Sequence, residues 1–217
     1  MPIEIGILKL IHILCLVYWL GADLGVFYSS YYLVNEKLSR DTRINVSKIL
    51  FFLDQAPRIS MILIFPSGIH LAKSLGYLNI SYSMVISIWL IALAWLILVC
   101  VLHIKGQAVK KLALFDYWLR IMFVLGMSYV FLNIVINQPE YIWAGKKILA
   151  FTITVICGLI IRKKLRSFES AFVSLIEGKD TAESNQILKM SIASSRPFVV
   201  LIWACLLFNM VLGLHLI

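Results

Sequence analysis

His12, Asp23, Asp54, Arg58 and His70 are ionisable side chains inside the first two long apolar blocks of this 217-residue chain. A titratable group in apolar surroundings is costly and is kept where it binds, pairs or relays. Imidazole there suits two tasks, ligation of a metal or haem iron and hydrogen bonding across helices. His12 and Asp23 are eleven residues apart, which returns to within about 20° of one helix face. Cys15 and Trp19 fall on the same face. Asp54 and Arg58 stand at i, i+4, within reach of each other. If the two blocks run antiparallel, facing residue numbers have a constant sum. Asp23 with Arg58 gives 81 and His12 with His70 gives 82. One register therefore predicts a carboxylate beside a guanidinium on one side and two imidazoles level on the other. A lone Arg58 in low dielectric demands a partner. Asp23 and Asp54 both qualify, alone or sharing it.

Two level imidazoles on separate helices could hold one haem iron between them, or His12 could bind it alone. Lys146, one turn into a later apolar block behind Trp143, is then placed to meet a haem propionate as a point charge, and Trp143 and Trp19 supply flat apolar walls. Lys147 reads as a lysine snorkelling to the interface. His103 and His215 sit at block ends, where hydrogen-bonded interfacial histidines are common. Cys15 and Cys100, each three residues from a histidine, could point to copper. All four cysteines lie in apolar blocks without a CxxC, which reads as small packed thiols.

The elements that must position these groups are membrane helices. The chain is 61% hydrophobic and 14% charged, against about 25% charged in an ordinary soluble domain. Its apolar residues come in blocks of the ~20 residues that cross a ~30 Å hydrocarbon core. Met84–Ile104 carries no formal charge, and neither does Pro197–Ile217. Spans are expected at about 5–33, 49–74, 83–104, 113–137, 142–162 and 197–217. Backbone groups in lipid must be satisfied within the chain, and no barrel-type alternation is present, so these are helices. The opening MPIEIG lacks a basic start and a cleavage pattern, so the first block reads as a retained helix. The expected fold is all-α: one polytopic membrane domain over 1–217 with about six spans.

The formal charge of +9 is a topology signal rather than a sign of nucleic-acid binding. The first, third and fifth connections hold fourteen of the twenty Lys and Arg, while the second has only Lys73 and the fourth none. By the positive-inside rule the odd connections are cytoplasmic and both termini are non-cytoplasmic, in a membrane expected to be the bacterial inner membrane. The basic loops could also meet anionic lipid heads. The long 163–196 connection carries Phe168, Phe172, Leu175 and Ile176 at helical spacing, then a second short run after Thr181 ending near Ser194. It reads as a cytoplasmic amphipathic connection, either lying on the membrane surface or packed as a loop.

Lys9-x-x-His12 with its apolar run and Trp19 resembles the first helix of the HemJ family of haem-containing membrane proteins, whose wider relatives include CopD-like copper-resistance proteins. Trp143-x-x-Lys146 resembles that family's second signature. The resemblance implies a b-type haem and protoporphyrinogen oxidation, with His12 and Lys146 tied to them. The chain departs from the family in its six spans rather than four and in the Asp54–His70 segment.

Three functions are compatible with these residues. One is a haem b-binding membrane oxidoreductase exchanging electrons with a quinone or tetrapyrrole. Another is a small transporter or metal-permeation protein using Asp23, Arg58, His12 and His70, with Pro66 interrupting the second span. The third is a non-catalytic subunit or assembly factor whose polar groups lock helices against other membrane subunits. The charge partition predicts that tags at either terminus are reached by impermeant reagents from the non-cytoplasmic side, and residues 163–196 only from the cytoplasm. A cytoplasmic terminus would overturn the assigned orientation.

Overall fold

A computed structural model describes residues 3–214 and Leu216, without the side chains of Gln107 and Ala108. Its helices are α1 (Ile3–Leu33), α2 (Arg40–Leu53), α3 (Gln55–Ser74), α4 (Tyr82–Lys105), α5 (Lys110–Asn137), α6 (Ile142–Lys164), α7 (Phe168–Glu177) and α8 (Ala182–Gly213). Short 3₁₀ turns over Gly106–Val109 and Pro139–Tyr141 lead into α5 and α6. Six stretches are long and apolar enough to cross a membrane: α1, α2 with α3, α4, α5, α6 with its preceding turn, and α8. The protein is an all-α, multi-pass membrane protein, as its composition requires.

Side-chain placement follows the same solvent logic. Trp118, Met122, Leu125, Tyr129, Leu132 and Ile136 recur at alternating spacings of four and three along α5, each more than half exposed. That stripe is what a helix turns toward lipid. On the same helix Asp116 is fully buried and Arg120 is 8% exposed.

Prolines mark where the helical reading of the second span changes. α2 and α3 meet at Asp54. Pro57 then falls in the first turn of α3, where a missing N–H costs nothing. Pro66 lies inside α3 and Pro197 inside α8 without ending either helix. The run after Thr181 therefore does not stop near Ser194. It is the first half of the helix that continues to Gly213, started by a capping box between Thr181 and Ser184. Packing carries α8 through the proline, with α7 against the helix and α6 along it.

The chain divides into two compact units, Met1–Val26 with Ile49–Asp116, and Phe27–Lys48 with Tyr117–Ile217. In the first, α3 packs on α4. α1 approaches closely enough that a Cβ on Gly68 would lie 3.0 Å from His12 Cε1, and one on Gly25 2.9 Å from Leu53 Cδ1.

The second unit contains the α6–α8 pair and a small helical cap. Ala171, Leu175 and Leu188 form the cap's buried core, with Val34, Phe168, Phe172 and Ile187 packed around it. Phe168 and Phe172 stack at 5.6 Å. α7 thus packs through Phe168, Ala171, Phe172 and Leu175, while Ile176 is 43% exposed. Two arginines bind the cap. Arg40 donates to the α7 carbonyls of Leu175 (2.9 Å) and Ile176. Gly178 follows in the left-handed region at φ 69°, with Arg40 Cζ 3.3 Å from where a Cβ would stand. Arg43 is 3% exposed. Its Nε donates to Leu33 O and its Nη2 to Asn185 Oδ1, both at 2.8 Å. Asn185 in turn donates to Asp180 Oδ2 at 3.0 Å. Ile176 O and Leu33 O are carbonyls at helix ends, where the intrahelical ladder runs out, and Leu175 O also accepts from Gly178 N at 3.2 Å.

Arg43→Ala is expected to cost about 2–3 kcal/mol, since it strips charge-assisted hydrogen bonds from a buried site. Thermal unfolding in detergent reads this as a fall of several degrees. Lys179→Ala, which removes only an exposed pair with Glu177, is expected to leave the midpoint within about 0.5 kcal/mol of wild type.

Candidate functional site

The sequence-predicted groups of the first unit come together along the α1–α3 pair. His12 Nδ1 lies 3.0 Å from Ser67 Oγ. Ser67 is fully buried, and its hydroxyl donates to Ile64 O at 3.0 Å. With its one proton directed there, Ser67 accepts from His12, which sets the imidazole as the Nδ1–H tautomer with Nε2 as its basic nitrogen. Gly68 lets the ring lie directly on the α3 backbone.

His70 is held differently. Its Nε2 lies 3.3 Å from Glu4 Oε1, and Ser74 Oγ reaches the same oxygen at 3.4 Å. Each histidine thus has one ring nitrogen oriented by an oxygen from the facing helix. That arrangement can fix a metal-ligating imidazole, and it can equally zip two helices together.

The antiparallel pairing is as the residue numbers predict, but the register is not. His12 faces Ser67 and Gly68, two to three residues before His70, and Gly25 faces Leu53. At 1.5 Å per residue the slip is roughly 3–5 Å. The close approach at Gly68 and the His70–Glu4 contact set this register, which index sums cannot sense. The slip also carries Arg58 away from the level of Asp23. Arg58 pairs with Asp54 one turn back on its own chain segment. Its side chain is 43% exposed, on the surface of the helix pair rather than enclosed between helices. Asp23 is not part of that pair.

Below His12, on the α1–α3 face, runs a groove of about 310 Å³ whose walls include Ile11, Leu14, Cys15, Tyr18, Ile59 and Leu63. Its lining is almost wholly apolar. Trp19 is 4% exposed and part of the first unit's core.

In the second unit Lys146 is on an exposed face of α6, and Lys147 is the half-buried lysine. Lys147 Nζ lies 3.1 Å from where a Cβ on Gly213 would stand and 5.9 Å from the Trp143 ring centroid. One residue of helix rotation separates the two, and packing against α8 selects Lys147. His103 is exposed at the end of α4. His215 lies outside the described residues. Among the described residues no group of three or more His, Cys, Asp or Glu side chains is placed to hold a metal ion, and this includes the surroundings of Cys15 and Cys100.

Sequence reasoning passed over Asp116 and Arg120. Asp116 Oδ1 accepts from Trp95 Nε1–H at 2.9 Å, joining α4 to α5 inside the first unit. The signal was present: an Asp-x-x-x-Arg spacing inside an otherwise apolar span. Ser67 was also missed, because a serine beside a proline in a helix carries no signal of its own.

These features define an all-α multi-pass membrane protein with a histidine held against Ser67 and Gly68 between two of its spans, and an apolar groove farther along the same pair. No family model, curated protein or solved structure matches the chain.

Substitution should separate the two carboxylate contacts. Arg58→Ala is expected to cost less than about 1 kcal/mol, because an exposed i, i+4 pair contributes little. Asp116→Leu leaves the buried Trp95 N–H without its acceptor and should cost about 1–3 kcal/mol. Melting of the purified variants, followed by near-ultraviolet circular dichroism, orders them. Equal losses would overturn the assignment of Arg58 to an exposed pair.

Proposed function

We propose that this chain is an integral membrane redox protein that binds a haem b through His12 and exchanges electrons with a lipid-soluble partner, a quinone or a tetrapyrrole. The observation that supports it is the His12–Ser67 contact: a second-helix oxygen holds Nδ1–H and turns Nε2 into the basic nitrogen. Ligating histidines are oriented in this way by a hydrogen bond to the other ring nitrogen. In this reading His12 would be the one imidazole ligand, and the groove lined by Leu14, Cys15 and Tyr18, farther along the same helix pair, would supply apolar surface. His70, engaged with Glu4, fits a second ligand less well than His12 fits the first. His12 would hold a haem whose iron would supply one-electron chemistry, while Ser67 would orient the imidazole. In this reading the Lys- and Arg-rich connections face the cytoplasm of a bacterial inner membrane, as their charge partition suggests.

Protein produced with ample haem and purified in detergent is expected to show a Soret band and sharpened bands on dithionite reduction. His12→Ala should lose them, Ser67→Ala should shift the reduction potential without abolishing binding, and Lys146→Ala should retain them. A wild-type protein without a Soret band, or a His12→Ala spectrum identical to wild type, would leave His12 and His70 as helix-locking residues and sink the proposal.

A further inference from the structure

Arg196 is held differently from Arg40 and Arg43. Arg40 and Arg43 are filled by carbonyls, Asn185 and a carboxylate at 4.0 Å. Among the described residues no carboxylate is recorded within ion-pair distance of Arg196. Its guanidinium carbon lies 3.5 Å from the Tyr31 ring centroid and 5.6 Å from that of Phe27. Its Nη2 reaches Ser30 Oγ only at 3.4 Å, and that hydroxyl already donates to Phe27 O at 2.6 Å. Its Nε is enclosed with no hydrogen-bond partner. The residue is half-buried, and Tyr31 is 46% exposed, so the site opens outward.

Its depth bears on what could meet it. Arg196 directly precedes Pro197, where the charge-free stretch of α8 begins. On α6, Lys164 Nζ lies 5.6 Å from the Phe198 ring, which puts the basic end of α6 at the same level. An arginine at the boundary of the apolar stretch, flat against an aromatic ring and without an acid of its own, is a fork for a planar array of oxygens. Water or lipid must supply them. Basic sites between spans at this level bind anionic headgroups.

We infer that Arg196, seated on Tyr31 and Phe27 beside Ser30, is a binding site for the phosphate of an anionic phospholipid. The rings hold the guanidinium in place, and the phosphate offers the acceptors that the protein does not. The site is separate from the His12 groove and does not depend on haem.

Full-length protein, delipidated in neutral detergent, is titrated with phosphatidylglycerol, phosphatidylcholine or inorganic phosphate, and bound lipid is counted by native mass spectrometry. Phosphatidylglycerol is expected to be retained about fivefold over phosphatidylcholine, the scale of one basic residue at a membrane surface. Millimolar inorganic phosphate should neither displace it nor raise the melting temperature. Arg196→Gln should bring the preference to within about twofold, and Arg196→Lys should fall between. Lys164→Gln removes the same charge at the same level, on the Phe198 side of α8, and should keep the wild-type preference. If Arg196→Gln does not fold, Arg196→Lys and Tyr31→Leu read the site in its place. Wild type without a preference overturns the inference, as does an Arg196 series that retains it. An equal loss in Lys164→Gln reduces it to general surface charge. Competition by inorganic phosphate replaces the lipid with a soluble anion.

Discussion

Hydrocarbon offers a polypeptide no hydrogen-bond partner, and the rest of this structure follows from that. Each backbone group in a span has to be satisfied within its own helix, so six stretches of the chain are helical whatever else they do. The same constraint acts on side chains. Ser60, Thr152 and Thr154 are buried, and the two threonines turn their hydroxyls back onto Ile148 O and Phe151 O. Groups that cannot satisfy themselves locally must find each other across helices. His12 with Ser67 and Trp95 with Asp116 are two such contacts, and each binds a pair of helices at a defined level.

The polar contacts differ in kind between the two units. In the first they include contacts between helices within an apolar setting, such as the serine oxygen that meets an imidazole nitrogen of His12. In the second they form a continuous cap beyond the spans, where Arg40 and Arg43 gather the loose carbonyl ends of α7 and α1. The cap uses its arginines as hydrogen-bond donors, so the basic excess of these loops is only partly available to the membrane. Arg196 rests instead on the rings of Tyr31 and Phe27.

Length, charge and spacing were enough to read the spans, because a run of apolar residues has one stable solution in lipid. Met84–Ile104 could only be a crossing helix, and the structure places α4 over Tyr82–Lys105. The capped start at Thr181 was also readable, since Thr and Ser three apart satisfy the first turn locally. Harder cases were those in which packing competes with a local rule. Pro197 suggested a boundary, yet α8 runs through it because its neighbours hold both halves.

By itself, then, the sequence determined what short-range physics and the bilayer decide: an all-α, multi-pass chain, its spans, the distribution of its basic residues, and the antiparallel facing of α1 and α3. Only the tertiary structure decided the register of that facing. Gly68 admits the His12 ring and Glu4 meets His70, so Arg58 is left with Asp54. Only packing chose Lys147 over Lys146, buried Asp116 against Trp95, and set Arg196 on Tyr31. The reason is the same in each case. Which helix face meets which, and at what height, depends on shape complementarity between residues far apart in the chain, and a difference of one residue turns a side chain through 100°.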